Sequence, residues 1–315
     1  MTKAIYEWFN SSKTENNIQK WTTAVKNFIF GVCVAIIVAG VCYIILAPVI
    51  GVVSRAFMSG EDVTNPLVFL IPIEPTLYNI QAAITHMNYW RTLVSTLAFS
   101  FGLAVLHVIV TSFVGYGFAR FKFPGSNILF ALVIITIIVP VQSYMIPMFL
   151  NFRFFLGSSD WNLVGTIWPI ALITLTGVGI RSGLYIYIFR QFFRGIPKEL
   201  EEAAFIDGAG PLKTYVRIMI PNATAAIVTV LLFAFVWHYN DTYYVGMLMT
   251  GNTMMASMLS TLGFTYTAIE EVRNPVFVQM VVFGGVLLAI TPILVIYLFL
   301  QRYFVEGMER SGIVG

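Results

Sequence analysis

Charged residues are scarce in this sequence. Asp, Glu, Lys and Arg make up 10% of its 315 residues, whereas hydrophobic residues make up 58%. Ordinary soluble domains do not have this balance, so the composition excludes a water-soluble protein and indicates one that lies in a lipid bilayer. The formal net charge is only +3. The basic residues occur singly between apolar runs, so we expect no nucleic acid as a partner.

Cysteine and histidine are almost absent as well. Cys33 and Cys42 lie nine positions apart on one predicted helix, about 13.5 Å at about 1.5 Å per residue, which is too far for a disulfide. His86, His107 and His238 show no metal-ligand spacing with acids or cysteines, so no metal site is expected. We interpret His107, on an apolar helix, as a hydrogen-bonded packing residue.

The sequence also lacks any Gly-Lys dipeptide. The phosphate-binding motif G-x-x-x-x-G-K-[ST] is therefore missing, and the chain is not its own conventional ATPase. No paired acid and base stands out either. We expect a protein that is not an enzyme, that has no catalytic residue and that binds no cofactor itself.

Long apolar runs dominate what remains. A helix needs about 20 apolar residues to cross a bilayer, and six runs meet that length. They predict an all-α integral membrane protein with six transmembrane helices. Pro140 and Pro147 interrupt the third run, so the alternative that one run is a re-entrant or interfacial piece stays open. The six runs cover approximately residues 28–53, 93–118, 128–150, 163–189, 222–249 and 276–300.

The placement of Lys and Arg predicts the orientation of these spans. With the N-terminus in the cytoplasm, thirteen basic residues lie on that side, four lie outside and Arg181 falls within a span. This asymmetry favours cytoplasmic termini. The chain is then a cytoplasmic leader, residues 1–27, and a transmembrane domain, residues 28–315. The tail, residues 301–315, and the loop between the fourth and fifth spans, residues 190–221, are also cytoplasmic.

The loop of residues 190–221 concentrates the charge that the rest of the chain avoids. A proline and three acids favour a helix that begins near residue 199. Gly208 and Gly210 are expected to end it with positive φ, and a second short helix is expected between Pro211 and Pro221. Charge content alone leaves open a solvated loop that only avoids lipid. The proline and the acids are Pro197, Glu199, Glu201 and Glu202.

The spacing of residues within this loop is a more specific signal than its charge. Glu202, Ala203 and Ala204, followed by Gly208 and Pro221, resemble the EAA loop of ATP-binding-cassette importer permeases. Other blocks resemble the maltose-type carbohydrate importer permeases, and more narrowly the subunit with a tail of the FVEG type. These blocks are YGFARFKFPG at 116–125, VPVQSYMIP at 139–147, FRQFFRGIPKELEEAAFIDGAG at 189–210, WHYND at 237–241 and QRYFVEGMERSGIVG at the C-terminus.

The resemblance implies a permease subunit in a bacterial cytoplasmic membrane. Its loop would be a coupling loop that docks onto a cytoplasmic ATPase. Glu202 and Asp207 would make polar contacts, Ala203 and Ala204 would pack closely, and Gly208 would form the turn. The implied partners are a second homologous permease, two copies of the ATPase subunit, which use ATP and Mg²⁺, and an extracytoplasmic substrate-binding protein.

Two groups of residues inside the spans are candidates for a substrate path. Arg181 is predicted near the membrane midplane, where a lipid-facing guanidinium costs at least about 3 kcal/mol, so it should face protein or water. A structural ion pair and a place in the pore both stay open. A cluster near the outer mouth suits either a sugar or an interfacial aromatic belt with a structural Asp. Its members are Trp237, Tyr239, Asn240, Asp241, Tyr243 and Tyr244.

The leading hypothesis is therefore half of the translocation pathway of a sugar or oligosaccharide importer. The alternative is a self-sufficient secondary transporter for a small polar solute. Such a transporter would carry an ion site within the membrane and no docking loop.

Overall fold

We analysed the fold in a computed structural model. It describes the backbone of residues 2–158 and 160–312 and the side chains of residues 23, 25–158, 160–299 and 301. These residues form helices, turns and loops, and no β-strand occurs among them. The all-α prediction is confirmed. The chain divides into two compact units, Met1–Pro75 and Thr76–Gly315.

The first unit contains the long helix α1, Thr2–Ala56, and the short helix α2, Gly60–Thr64. Cys33 and Cys42 both lie in α1 as free thiols, as predicted. Asp62 is buried and orders the loop that follows α2. Its two carboxylate oxygens accept hydrogen bonds from the backbone N–H groups of Ile73 and Glu74, both at 3.1 Å. This one carboxylate therefore sets the path of the loop.

The second unit contains the remaining helices in chain order. They are α3 (Tyr78–His86), α4 (Tyr89–Arg120), α5 (Ser126–Ile138), α6 (Met145–Arg153), α7 (Trp168–Leu175), α8 (Ser182–Gly195), α9 (Glu199–Ile206), α10 (Pro211–Thr214), a π-helical turn (Tyr215–Met219), α11 (Ile220–Asn222), α12 (Thr224–Tyr239), α13 (Tyr243–Leu248), α14 (Met255–Glu270) and α15 (Pro275–Gly312). Short 3₁₀ turns at Val141–Ser143 and Phe155–Gly157 flank α6.

Three helical stretches of the described residues are long and apolar enough to cross a membrane, namely Val25–Ala56, Tyr89–Arg120 and Pro275–Phe299. A fourth is reached if Pro211–Asn222 and Thr224–Tyr239, which meet at a bend of 80°, count as one span. The predicted first, second and sixth spans are thus continuous helices. The third, fourth and fifth predicted spans each contain a break between shorter helices, so the count of six transmembrane helices stays a prediction.

The breaks in the third and fourth spans have a clear local cause. In the third span, α5 ends two residues before Pro140, which has no N–H to continue the helical ladder. In the fourth, Gly177 adopts a φ of +76° after α7. The N–H of Gly177 donates to the carbonyl of Thr174, and the N–H of Val178 donates to the carbonyl of Ile173. This pair of bonds is the Schellman arrangement of a helix end. In the fifth, α12 ends at Tyr239 and a new helix begins after Asp241.

Helix α4 is the central element of the second unit and packs along α8 and α12. At Gly115, an added Cβ would lie 2.6 Å from the Cβ of Phe189, so the two helices touch at a point where only glycine fits. Gly183 of α8 allows α5 the same close approach, since its Cβ would lie 2.7 Å from the carbonyl oxygen of Val133. Gly179 precedes α8 and packs against His107 and Thr174.

His107 lies fully buried on α4. Its Nδ1 is 3.3 Å from the hydroxyl oxygen of Ser182. Its ring packs edge-on against Tyr185 and lies 5.0 Å, centroid to centroid, from the ring of His238. The prediction of a hydrogen-bonded packing residue is confirmed.

Candidate coupling loop and substrate path

The first helix of the coupling loop, α9, begins at Glu199 and carries three acids in its first turn, Glu199, Glu201 and Glu202. Negative charge at this end is stabilised by the positive end of the helix dipole. Pro197 lies two residues ahead of the helix, where it ends the preceding segment because its ring restricts the residue before it. The predicted helix start is confirmed.

The end of α9 is a second Schellman arrangement. Gly208 has a φ of +79°, its N–H donates to the carbonyl of Phe205 at 3.0 Å, and the N–H of Ala209 donates to that of Ala204 at 2.9 Å. Positive φ costs glycine little, which explains why the turn lies there. Gly210 has a φ of −77° and precedes α10 in an extended conformation. The prediction of positive φ is thus confirmed for Gly208 and wrong for Gly210.

The two faces of α9 differ in exposure. Glu202, Ala203 and Asp207 are exposed, whereas Glu201 and Ala204, three positions apart, are buried. Ala204 therefore packs inside this subunit, which corrects its predicted place on the docking surface. Large apolar residues are also exposed on α9 and on the following helix α10. Together with Glu202, Ala203 and Asp207 they form a surface that we call the outward face. They are Leu200, Phe205 and Ile206 of α9 and Leu212 of α10.

The buried side of α9 is tied to the end of α4 by a group that we call the anchor cluster, namely Tyr116, Arg120 and Glu201. The Nε atom of Arg120 lies 2.7 Å from Oε2 of Glu201, and both side chains are 8% exposed. The hydroxyl of Tyr116 donates to Oε1 of Glu201 at 2.9 Å. A terminal guanidinium nitrogen of Arg120 also donates to the carbonyl of Ile196 at 2.6 Å. Both oxygens of Glu201 thus have partners.

The second half of the loop is a continuous but irregular helix. It runs through α10, the π-helical turn and α11, and then bends by 80° into α12. Pro221 lies one residue before the end of α11, so the predicted stop is close to the observed one. The hydroxyl of Tyr215 lies 2.7 Å from that of Ser112 on α4. This half of the loop is therefore also attached to α4.

The breaks in the third, fourth and fifth spans meet at one place, which we call the break cluster: Tyr144, Arg181, Trp237 and Tyr244. The hydroxyl oxygens of Tyr144 and Tyr244 are 2.9 Å apart and join the third break to the fifth. The guanidinium of Arg181 lies 4.4 Å above the ring of Trp237. Sequence reasoning missed Tyr144, because a tyrosine between two prolines gives no signal of its contacts.

Arg181 occupies a strained position in this cluster. It precedes α8 with a φ of +57°, which is unusual for a residue with a side chain and costs about 1 kcal/mol or more. Its side chain is exposed, and it forms no ion pair with any side chain that the structure describes. Trp237 is 44% exposed. The arrangement leaves the cation and part of the Trp237 side chain exposed on the surface of this chain.

The other predicted path residues separate into two groups. Asn240 and Tyr243 are exposed near Trp237 in the sequence. Asp241 is buried, and its carboxylate accepts backbone N–H bonds from Tyr243, Tyr244 and Val245 at 3.0 to 3.2 Å. It therefore caps α13, as the structural interpretation of this residue expects. Tyr239 is also buried and donates its hydroxyl to the carbonyl of Ala289 at 2.8 Å.

Comparison with known proteins identifies the family. The profile of the binding-protein-dependent transport system inner membrane component matches residues 112–310, more than half of the chain. The chain belongs to this family. As an inner membrane component it is a transport subunit, which confirms that it is not an enzyme, and it works with a substrate-binding protein and a separate ATPase. The family also excludes the alternative of a self-sufficient secondary transporter.

Relatives and solved structures agree with this assignment. The chain is 25% identical over 287 residues to the arabinooligosaccharides transport permease AraQ of Halalkalibacterium halodurans, covering 88% of this chain and 94% of that one. It is 26% identical to the osmoprotective compounds uptake permease GgtD of Synechocystis, covering 99% of both. A bacterial ABC transporter that imports the acidic polysaccharide alginate has the same fold, with a TM-score of 0.68 at 23% identity over 88% of this inner membrane component and 96% of that chain.

Proposed function

We propose that this inner membrane component is one of two permease subunits of an ATP-binding-cassette importer for a sugar or oligosaccharide. In this proposal its coupling loop docks onto a cytoplasmic ATPase, and it supplies half of the translocation pathway. The chain itself binds no cofactor. ATP and Mg²⁺ are used by the ATPase subunits.

The outward face of α9 and α10 carries the docking proposal. Ile206 is 86% exposed and Leu212 is 65% exposed, next to the exposed acids Glu202 and Asp207. On a loop that the charge distribution places in the cytoplasm, such apolar side chains stand in water unless a protein covers them. An apolar patch flanked by charge is the composition of an interface, which supports a soluble partner at this surface.

The outward face can be tested by charge substitution. Ile206→Glu is expected to release the ATPase from the purified complex while the second permease stays bound, because the new carboxylate is buried without a partner at the interface. Lys122→Glu, another exposed residue of a predicted cytoplasmic loop, is the matched control and should retain the ATPase. An Ile206→Glu complex with its full complement of ATPase would rule out docking at this face.

The break cluster supports the substrate path. An exposed guanidinium at membrane depth must face water or protein, because lipid cannot solvate it. Irregular backbone is likewise tolerated there only where it is buried in protein or lines an aqueous cavity. Arg181 and the ring of Trp237 offer hydrogen bonds and a stacking face, which suit a sugar, with Asn240 and Tyr243 as further candidates. The arabinooligosaccharide substrate named for a relative supports the same class.

The partners follow from the same proposal. A single chain with an exposed cation and broken helices needs a second homologous permease to close the pathway. Two copies of the ATPase subunit and an extracytoplasmic binding protein complete the importer. The leader, residues 1–27, the coupling loop and the tail, residues 301–315, all lie on the cytoplasmic side in this arrangement, and residues 28–315 form the permease domain.

The orientation can be tested by labelling single cysteines in a variant without Cys33 and Cys42. Leu67→Cys and Asp160→Cys, both exposed, should react with an impermeant thiol reagent added to intact protoplasts. Glu199→Cys, exposed in the coupling loop but not part of the outward face, should react only after the membrane is opened. Position 214 of the same loop is a poor probe because Thr214 is fully buried. Reaction of Glu199→Cys in sealed cells would contradict a cytoplasmic loop.

A further inference from the structure

In the described residues, one stripe of helix α4 supplies the α4 side chains that make polar contacts with the coupling loop, and one further bond runs from Arg190 to the backbone carbonyl of Phe118. Ser112, Tyr116 and Arg120 recur at intervals of four, so they lie on one side of the helix near its end. The contacts reach Tyr215 in the second half of the loop and Glu201 in the first half. The loop is therefore attached to a helix that does not adjoin it in the sequence.

The nature of these contacts makes the attachment specific. The carboxylate of Glu201 is held at once by a guanidinium and a phenol, and Arg120 also binds the carbonyl of Ile196 just before α9. A buried ion pair has one good geometry, because any displacement leaves a charge unpaired. An apolar contact tolerates sliding. The anchor cluster therefore fixes α9 on α4 in one register.

The rings around the anchor cluster reinforce it. The ring of Tyr116 lies 5.1 Å from that of Tyr215 and 5.7 Å from that of Phe193 on α8, measured between centroids. Tyr116 thereby touches both halves of the loop and the helix that leads into it. Water is kept from the ion pair by this packing, which strengthens the pair.

The same helix also reaches the break cluster. Phe99 and Leu103 of α4 belong to the buried apolar group that includes Ile180, the neighbour of Arg181, and Tyr244. Helix α4 thus has the coupling loop at one end and the broken helices along its middle. Its contacts connect the two sites that the proposed function requires to communicate.

We propose that Glu201 is the residue that positions the coupling loop on α4, so that the ATPase moves the pathway through α4 as well as through the chain connections to α8 and α12. The two adjacent acids then have opposite roles, since Glu202 faces the partner and Glu201 faces this subunit. This inference rests on the proposed docking of the loop. It adds an internal link that the docking surface alone does not require.

The first test measures coupling in the reconstituted complex. Glu201→Gln keeps the shape of the side chain and removes its charge, and it is expected to lower sugar uptake per ATP hydrolysed at least tenfold while the ATPase stays bound. Tyr116→Phe, which removes one hydrogen bond, should lower it by a smaller factor. Glu199→Gln, an exposed acid of the same helix, is the control and should behave as wild type.

Exchanging the charges of Glu201 and Arg120 distinguishes the loss of their ion pair from a general loss of folding. The double variant Glu201→Arg with Arg120→Glu should recover part of the uptake per ATP that Glu201→Arg alone loses. Unchanged coupling in Glu201→Gln would overturn the proposal. Loss of the ATPase from Glu201→Gln with no recovery in the exchanged pair would also overturn it.

The second test does not depend on a variant of the anchor cluster. Spin labels at Glu199→Cys and Lys122→Cys, in a complex without Cys33 and Cys42, report the distance between α9 and the end of α4. We expect this distance to stay constant between the nucleotide-free and ATP-bound states. A change of several ångströms would show that the loop moves independently of α4. Release of the ATPase by Ile206→Glu would still support docking, so the two proposals can fail separately.

Discussion

The arginine of the anchor cluster and the arginine of the break cluster lie in opposite environments. The side chain of Arg120 is buried and paired with Glu201, and its backbone is the regular last residue of α4. Arg181 is exposed, forms no ion pair among the described side chains, and has a strained φ of +57° at a helix break. A buried, paired charge stabilises packing within its own chain. We expect an exposed, strained charge to serve a contact outside its own chain.

The largest effect is expected at the turn of the coupling loop. Gly208→Val should abolish coupled uptake, because a β-branched residue at a φ of +79° forces α9 and α10 out of their arrangement. Gly208→Ala should lose less, since no atom lies within 4 Å of the added Cβ and only the backbone cost of about 1 kcal/mol applies. The measurement is substrate-stimulated ATP hydrolysis beside sugar uptake. Equal activity of both variants would mean that the loop tolerates a different turn.

The next largest effect is expected at Arg181, the exposed arginine of the break cluster. Arg181→Gln is expected to lower uptake about tenfold, the value of one lost hydrogen bond to a charged group, with the second permease and the ATPase still bound. Arg153→Gln is the matched control, since Arg153 also stacks on an aromatic ring, that of Phe154, but lies outside the break cluster. Loss of assembly in Arg181→Gln would instead place Arg181 in the contact between the two permeases.

A smaller effect is expected at Asp241, whose carboxylate binds three backbone N–H groups. Asp241→Ala should lower the free energy of unfolding by about 1 kcal/mol, as the loss of a helix cap does. The concentration of substrate at half-maximal uptake should not change. Thermal unfolding of the purified complex and uptake titrations measure the two quantities. A change in the substrate concentration at half-maximal uptake, without a loss of stability, would show that Asp241 belongs to the substrate path.

The smallest effect concerns the hydroxyl pair of Tyr144 and Tyr244, 2.9 Å apart. Each Tyr→Phe change should lower the free energy of unfolding by about 1 kcal/mol or less, and the double variant should lose little more than either single one, because both remove the same hydrogen bond. A double-mutant cycle from thermal unfolding checks this. Additive losses would show that the third and fifth breaks are not linked by this bond.

The coupling loop could be predicted from the sequence because its signals are local. Acids at a helix start, and a glycine at the one position that needs positive φ, act over a few neighbouring residues, and Gly208 lies where they indicate. The partner of Glu201 could not be predicted in this way. Arg120 is far away in the sequence, and an acid in the first turn of a helix gives no indication of which side it faces. Ala204 was misplaced for the same reason.

In the membrane part, too, the sequence predicts some features of the spans and not others. Apolar runs predict which residues lie in the bilayer, and the all-α fold follows from them. Whether a run is one helix depends on single backbone angles, such as the φ of Gly177, which hydrophobicity does not report. Helices α3 and α14 were not predicted at all, since α3 has nine residues and α14 has sixteen, both below the length of a span.

The length of α4 has a mechanical consequence. Its 32 residues make a rod of about 48 Å at about 1.5 Å per residue, and the structure shows no break along it. If the coupling loop pulls on one end, a tilt of about 5° displaces the other end by about 4 Å, as the geometry of a rigid helix of this length requires. The broken helices beside it lose such leverage at each bend. In the proposed importer, the unbroken α4 would convert a small movement at the ATPase into a larger movement along the pathway.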